Sequence, residues 1–595
     1  MPQAAERRTD MKRLPTSQGR QTPRGLKRQR GVASVLAAFW MLVAVAALAA
    51  IDVGNVFYQR RVMQSVADMA ANAGAQVVDN ACSRAPTTAL GIAGANGFNA
   101  SASGNSITTT CGRWDPTLYT GPSFYAANAT PSNAVQVTVS KQVPYFFLGT
   151  GRVVSATGLA QAVNVGAFTI GTTTASVDPT VITGLLNAML GTNINTLQIS
   201  AVGYQGLAQS RIKIGDLVTA AGVGTVSQLL AMNVTAAQLA SLMLTALQTT
   251  QVANANLSVA LGALQAVVSA NIPGSQTFPL GAVNGTPGLL QVGLANTQSA
   301  LTATISPLDA LFVAADIAQA GKSAVNVSTG LNLGVATATL QVQVIQPPVL
   351  AIGEAGQTST GAWRTIATTA QVRAFLNVTL GGLPGLQLGL LGLLKPPTVT
   401  LPINVYVAPG TAWLVSTQCL STQATSNSVV GVQTGVANVC IGDTPTNLSA
   451  TAPYSCSPAK LVNVANIVTI TMAASIPAVV PNAASLKFDG IVGNADDYQT
   501  TNSNPVGGVL YNATSGFASQ LSAGNGLTLN VLGVSLPVSS PVGQALLSFV
   551  LPLLTPIFNA LDTVLMPVLQ LLGAQIGVST VHDLSLTCGQ SQLQY

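Results

Sequence analysis

Side chains able to do chemistry are scarce in this chain: one histidine, six cysteines and seventeen carboxylates among 595 residues. Acid–base catalysis therefore has few candidates. No Gly-x-Ser-x-Gly elbow occurs, and no Gly-x-x-x-x-Gly-Lys-Ser/Thr phosphate loop. The nearest approach to a metal site is Asp489, Asp496 and Asp497 around Gly490 and Gly493. Those carboxylates could offer oxygen ligands to calcium, but the full spacing of a calcium loop is missing, and the segment reads better as a solvated turn with two glycines. Glu354 stands in a loop with no partner suggested by its neighbours. His582 reads as a residue of the final strand. Without a Cys-x-x-Cys pair it cannot build a Cys/His zinc cluster. The expectation is a chain with no catalytic residue, metal, cofactor or small-molecule substrate.

The cysteines point instead to a compartment. Cys82, Cys111, Cys419, Cys440, Cys456 and Cys588 all follow the one long apolar run near the N-terminus, and none precedes it. An even count in an oxidising environment favours disulfides, although the pairing is not fixed by sequence. Cys82 and Cys111 bracket a short Gly/Ser/Asn-rich segment and are expected to pair. The other four are expected to pair among themselves.

What must position these residues begins with composition. Only 7% of the chain is charged and 48% is apolar, against about 25% charged in an ordinary globular chain. Such a surface is kept wet by Ser, Thr, Asn, Gln and Gly, as in many exported strand-rich proteins. Nine of the 23 basic residues fall in the first thirty positions, and Glu6 and Asp10 reduce that segment to +7, so the rest of the chain is close to neutral. With no basic groove or aromatic platform downstream, nucleic acid is not an expected partner. The basic tail directly precedes Val32–Ile51, twenty residues without a charge, and at 1.5 Å per residue such a helix is about 30 Å long, enough to cross a bilayer. Basic residues ahead of the run place the N-terminus in the cytoplasm and send the bulk outward, to the periplasm or cell exterior. A cleaved signal sequence, with Ala47-Leu48-Ala49 as its small-residue site, is the rival. The length of the run favours an anchor. The helical pattern also continues through Val53, Val56, Phe57, Met63, Ala67, Ala70, Gly74 and Val77 as a narrow stripe. Ala67, Ala70, Ala71 and Gly74 make it small enough for another helix to approach. The same stripe could equally fold back on the chain's own first domain.

Basic residues, Gly31, an apolar span, then Asp52-Val53-Gly54, Gln59-Arg60-Arg61 and an Ala-rich helix resemble the N-terminus of TadG-like pilus-assembly proteins. The segment Ala134–Phe147, with Val153–Ala162 after it, resembles the strand pair that closes the first extracytoplasmic domain in that family. Leu229–Leu244, Leu340–Ile352 and Thr369–Val378 are similar, more loosely, to a long region of some TadG-like chains. The resemblance implies a place in the tight-adherence apparatus, which assembles Flp-type pili for surface attachment. Many TadG proteins carry a von Willebrand factor A domain whose metal site starts Asp-x-Ser-x-Ser. That pentapeptide is absent here, and Asp583-Leu584-Ser585-Leu586-Thr587 lies too near the C-terminus to begin one. Related minor pilins carry glutamate five residues after the leader glycine, where this chain has Leu36.

Further along, residues 81–163 read as a small α/β module, with Val135, Val137 and Val139 alternating against polar neighbours. Residues 164–327 read as helix-rich, with Thr235 and Gln238 forming a capping box flanked by Val234 and Leu239. From 328 to 540 the two-residue period dominates, as in Leu340, Val342 and Val344, and in Val399 to Val407. Pro347-Pro348, Pro396-Pro397 and Pro402 mark breaks or edges. Gly381–Leu394 is a Gly/Leu tract too rich in glycine for a helix. Residues 541–575 are expected to form apolar amphipathic helices, because three prolines, Asn559 and Asp562 disfavour a second span. Residues 576–595 close the chain as a strand.

The expected fold is thus α+β: a basic tail (1–30), one transmembrane helix (31–51), an Ala-rich stalk (52–80), then strand-rich extracytoplasmic material. The expected function is that of a membrane-anchored structural or assembly component of an Flp pilus system, acting through contacts with the cytoplasmic membrane and other assembly proteins. The alternative is a surface adhesin, secreted or membrane-tethered, whose strand-rich region binds a ligand.

Overall fold

A computed structural model describes residues 30–595 outside a few isolated positions and internal segments, the longer being 172–178, 192–198, 251–256, 328–335, 381–397, 445–454, 503–526 and 537–564. The expectations for Gly381–Leu394 and for most of 541–575 fall outside the described residues. Of the latter stretch, Leu565, Val568, Leu569, Leu571 and Leu572 are described and buried.

Helix α1, Arg30–Gln76, is one unbroken element of 47 residues. It contains no proline, and its Ala/Leu-rich sequence suits a helix throughout. Its first two turns and the rest of the apolar run are exposed on every side, whereas Met63, Val66, Ala67, Ala70, Ala71 and Ala75 are buried at three- and four-residue steps. The helix therefore changes from an all-round apolar rod to an amphipathic one beyond Asp52.

That second half packs on a module made of α2 (Ala85–Ala95), β1 (Ser106–Trp114), β2 (Tyr125–Ala127), β3 (Ala134–Val143) and β4 (Arg152–Gln161). The sheet is antiparallel in the order β2-β1-β3-β4, completed beyond β4 by the terminal strand Gln592–Leu593. β3 and β4 are paired without a break from Ala134↔Gln161 to Val143↔Arg152. Val135, Val137 and Val139 point to one face and are fully buried under α1 and α2. Gly158 permits the close approach of helix to strand, since a Cβ there would lie 2.5 Å from the Ala67 carbonyl oxygen. Cys82 and Cys111 are disulfide-bonded, tying the segment after α1 to β1.

After Asn164 the body begins with β5 (Val165–Ile170), which enters a five-stranded sheet in the order Tyr498–Asn502, Val578–Thr587, β5, Leu350–Gly353, Leu290–Gly293. One face of this sheet carries Val165, Ala167, Leu350, Ile352 and Leu584 into the main core under the helices of residues 179–319. The other carries Phe168, Ile170, Ala351 and Val581 onto the four-stranded sheet that contains Thr411–Gln418 and Asn427–Gln433. Two-residue alternation produces these three layers. Among the helices, Ala236–Thr249 starts at the Thr235/Gln238 capping box, and a second box, Thr225/Gln228, starts Val226–Leu230.

A ten-stranded sheet completes the body. In its strand Thr398–Val407, Thr398 and Val399 pair on one edge with Asn463 and Val462, whereas Ile403 to Val407 pair with Ile441 to Ala437. Pro402 sits at the changeover. On that edge its carbonyl accepts the Gly442 N–H (3.2 Å), so the missing N–H removes a single ladder bond at the changeover, which lets a proline occupy an interior strand.

The strand Val578–Thr587 is interior too, between β5 and Tyr498–Asn502, so a segment distant in sequence completes a sheet begun at residue 165. The Cys419–Cys588 disulfide secures it across a sequence separation of 169, and Cys440–Cys456 closes a separation of 16. Cross-linking so long a loop restricts the unfolded chain, so Cys588→Ser is expected to lower the unfolding free energy by about 2–4 kcal/mol. Urea titration under oxidising conditions measures the loss; under reducing conditions the variant and parent should converge.

Candidate functional site

The four small residues that could admit a foreign helix are covered from within. Ala67, Ala70 and Ala71 are fully buried, and a Cβ on Gly74 would meet Val135 at 3.2 Å and the Ala85 carbonyl at 3.5 Å. Their partner here is the chain's own sheet and α2, the fold-back reading that the sequence left open beside a foreign helix. The reason is simple: β3 presents a valine face that α1 and α2 cover together.

Asp52, at the end of the apolar run, is also fully buried. Its two carboxylate oxygens accept the backbone N–H groups of Phe146 (2.7 Å) and Phe147 (3.0 Å) at the tip of the β3–β4 hairpin. Lys141 donates to Gln59, about two helical turns further along α1 (3.1 Å). The hairpin is thus clamped to α1 at a fixed height.

Where this module meets the body, Arg113 of β1 is 1% exposed. Its Nη1 donates to Glu354 Oε2 (2.6 Å) and to the Pro131 carbonyl (3.2 Å), and its Nη2 donates to Asp115 Oδ2 (3.1 Å). Arg364 Nη1 lies 3.7 Å from the same Asp115 oxygen. Glu354, which the sequence left without a partner, closes a buried cluster of two cations and two carboxylates. Burial, and next the Arg113 cation, push the Arg364 pKa down against the pull of Glu354 and Asp115. A cavity of about 250 Å³ beside the cluster is lined by Asp79, Asn80, Ser132, Glu354 and Thr417 among others.

A second buried hub surrounds His582. Its Nδ1 is 2.8 Å from Asp309 Oδ2 and its Nε2 is 2.8 Å from Arg211 Nη2. A guanidinium only donates, so Nε2 must accept and the proton sits on Nδ1, toward Asp309. Burial lowers the His582 pKa, Arg211 lowers it further, and Asp309 opposes both. The ring is stacked on Tyr498 at 3.9 Å, and burial drives the Tyr498 pKa upward. Arg211 also pairs with Asp497 at 3.4 Å. The order Asp–His–Arg has a charge-relay look, but where a nucleophile would sit there is a cation, so His582 has no hydroxyl or thiol to activate there. This arrangement joins a helix (Pro307–Gln319, capped by Ser306), a turn and the closing strand. It ties these three parts of the body together.

Two family models match the chain. One described as putative Flp pilus-assembly TadE/G-like matches residues 31–77, and one described as putative Tad-like Flp pilus-assembly matches residues 73–163. From residue 31 to residue 163 the chain is TadG-like. No curated protein and no solved structure matches it. The TadG-like segment coincides with α1, α2 and β1–β4, and its end falls one residue before Asn164, whose side chain accepts the Gly589 N–H at the entry to the body. Both model descriptions name pilus assembly and neither names a reaction.

Outside the TadG-like module, Asp489, Asp496 and Asp497 accept hydrogen bonds from their own turn. Asp489 accepts the Ile491 N–H (2.8 Å) and the Asn494 side-chain amide (3.1 Å), Asp496 accepts the Asp489 N–H (3.3 Å), and Asp497 accepts the Gly493 N–H (2.7 Å). Among the described residues no group of three or more His, Cys, Asp or Glu is placed to hold a metal ion.

Asp316 and Asp583 are buried carboxyls whose pKa burial pushes well above the ordinary value of 3.8. Neither oxygen of Asp316 has a hydrogen-bond partner. A raised folded-state pKa contributes stability that is full below 3.8 and lost as pH rises through the folded value. Asp316→Leu is therefore expected to raise stability near neutral pH by about 1–3 kcal/mol. The gain should shrink toward pH 4, where the parent carboxyl is already neutral, as thermal unfolding across that range would report.

Proposed function

We infer that this chain is a structural component of an Flp-type pilus-assembly system, anchored by α1 in the inner membrane as a single-pass protein with its N-terminus in the cytoplasm and its bulk exported. One observation carries this reading: the apolar run and the core of the TadG-like module are the same uninterrupted helix, Arg30–Gln76. A helix that is exposed and apolar over its first half and buried in a folded module over its second transmits the position of the membrane directly to that module. Three disulfides, all beyond the apolar run, suit an oxidising compartment on the far side. The buried charge clusters serve cohesion, so the chain works through its surfaces, by contacts with other assembly proteins.

The test has two parts. Protease added outside spheroplasts should digest the bulk of the protein while sparing a short N-terminal piece in the membrane pellet. Deleting residues 31–163 should abolish pili without loss of the pilin itself, and in-cell crosslinking of the full chain should recover pilus-assembly proteins. Recovery of the mature chain in the soluble fraction, starting near Ala50, would remove the anchor and overturn the proposal.

A further inference from the structure

The tip of the β3–β4 hairpin carries two exposed aromatic rings, Phe146 at 66% and Phe147 at 53%. Both rings belong to residues whose backbone amides are held by Asp52, the residue directly after the apolar run. We propose that this hairpin tip is a second membrane contact, inserting Phe146 and Phe147 into the interfacial layer of the leaflet from which α1 emerges. The proposal rests on the anchored reading of α1 given above.

Height decides the occupant. The apolar run fills the hydrocarbon thickness, so Asp52 lies at its outer boundary, and two hydrogen bonds keep the tip at that level. Phe57 and Tyr58, also exposed, follow five and six residues later, which at 1.5 Å per residue places them about 8 Å further out, among the headgroups. Tyrosine collects at this level because its ring is apolar and its hydroxyl stays wet, and phenylalanine rings serve there as apolar anchors that bury into the acyl boundary. The cations at the same end agree with it. Arg60, Arg61 and Arg152 are exposed, Arg152 stands opposite Val143 at the mouth of the hairpin, and all three suit the phosphates of anionic lipids. A lipid surface is favoured over a protein partner because the patch is continuous with the exposed face of the span itself, so no boundary separates it from the bilayer. With two points of contact, the module is held in one tilt relative to the membrane and does not swing on a single helix.

The six native cysteines are paired, so one added thiol can be labelled in the full chain. Thr150→Cys places a polarity-sensitive dye on the tip with both rings intact, and Ser123→Cys places it on an exposed turn at the opposite end of the sheet. In vesicles of phosphatidylethanolamine and phosphatidylglycerol, the dye at 150 should be quenched by nitroxide lipids and should resist iodide several-fold more than the dye at 123. Adding Phe146→Ser and Phe147→Ser should make position 150 as open to iodide as position 123. Equal iodide quenching at 150 and 123 in vesicle-bound protein overturns the tip contact and leaves the anchor standing. Shielding from iodide without nitroxide quenching means that protein covers the tip, and overturns it as well. Failure of the chain to associate with vesicles at all removes the anchor together with the proposal.

Discussion

Replacing Arg211 by methionine is expected to lower the unfolding free energy by about 3–5 kcal/mol, because it leaves buried charge without its partner. Arg211 is 5% exposed and is shared by Asp497 and by His582 Nε2. Methionine fills similar volume, so the loss reports on charge and hydrogen bonding more than on a cavity. The same variant has a signature that simple loosening does not. Burial and Arg211 together depress the His582 pKa from 6.5. Below that pH the unfolded chain takes up a proton that the folded chain refuses. The stability contribution is thus full above 6.5 and declines as pH falls toward the depressed value. Without Arg211 the depression is smaller, and the acid-side decline should be shallower. Since His582 is the one histidine in the chain, its ring resonance in isotope-labelled protein needs no assignment. An imidazole that titrates identically in parent and variant would refute the contact as described.

How much of this was legible in the sequence divides along range. The helix Arg30–Gln76, the strand Ala134–Val143 and the Thr235 cap rest on residues within a turn or a pleat of one another, and local period exposes them. The two charge clusters do not. Arg113 and Glu354 are 241 residues apart, and Arg211 and His582 are 371 apart, so nothing in the neighbourhood of Glu354 or His582 names the partner. A signal was nonetheless present in composition. In a chain with only 7% charged residues, the surface is wetted by neutral groups, and a charge retained in mid-sequence has to be explained. Arg113, Asp115, Arg211, Asp309, Glu354 and Asp497 are all buried and all paired. Scarcity, which as sequence spoke against catalysis, also marks where the fold is cross-braced. The closing segment shows the same limit: alternating Leu584 and Leu586 announce a strand, but only long-range pairing reveals that it is interior.

Arg113→Met should cost a similar amount, about 3–5 kcal/mol, but at a different place. Arg113 belongs to the TadG-like module and Glu354 to the body, and their 2.6 Å contact crosses the boundary between them. Removing the guanidinium leaves Glu354 and Asp115 buried without the cation they share, with Arg364 3.7 Å from Asp115. Hydrogen exchange should therefore quicken in β1 and around Leu350–Gly353, while the closing strand, braced by Arg211 and the Cys419–Cys588 bond, stays protected. Arg113→Lys keeps the charge but loses the fork that reaches Asp115, Glu354 and the Pro131 carbonyl together, so an intermediate loss is expected. Combining Arg113→Met with Glu354→Gln removes the stranded charge and should recover part of the loss, with a coupling of about 1–3 kcal/mol. Strict additivity of the two single changes would mean that the contact across the boundary carries no energy. The module would then be held to the body by apolar packing and by contacts such as Arg84 with the Cys419 carbonyl, Arg364 with Asp115 and the terminal strand.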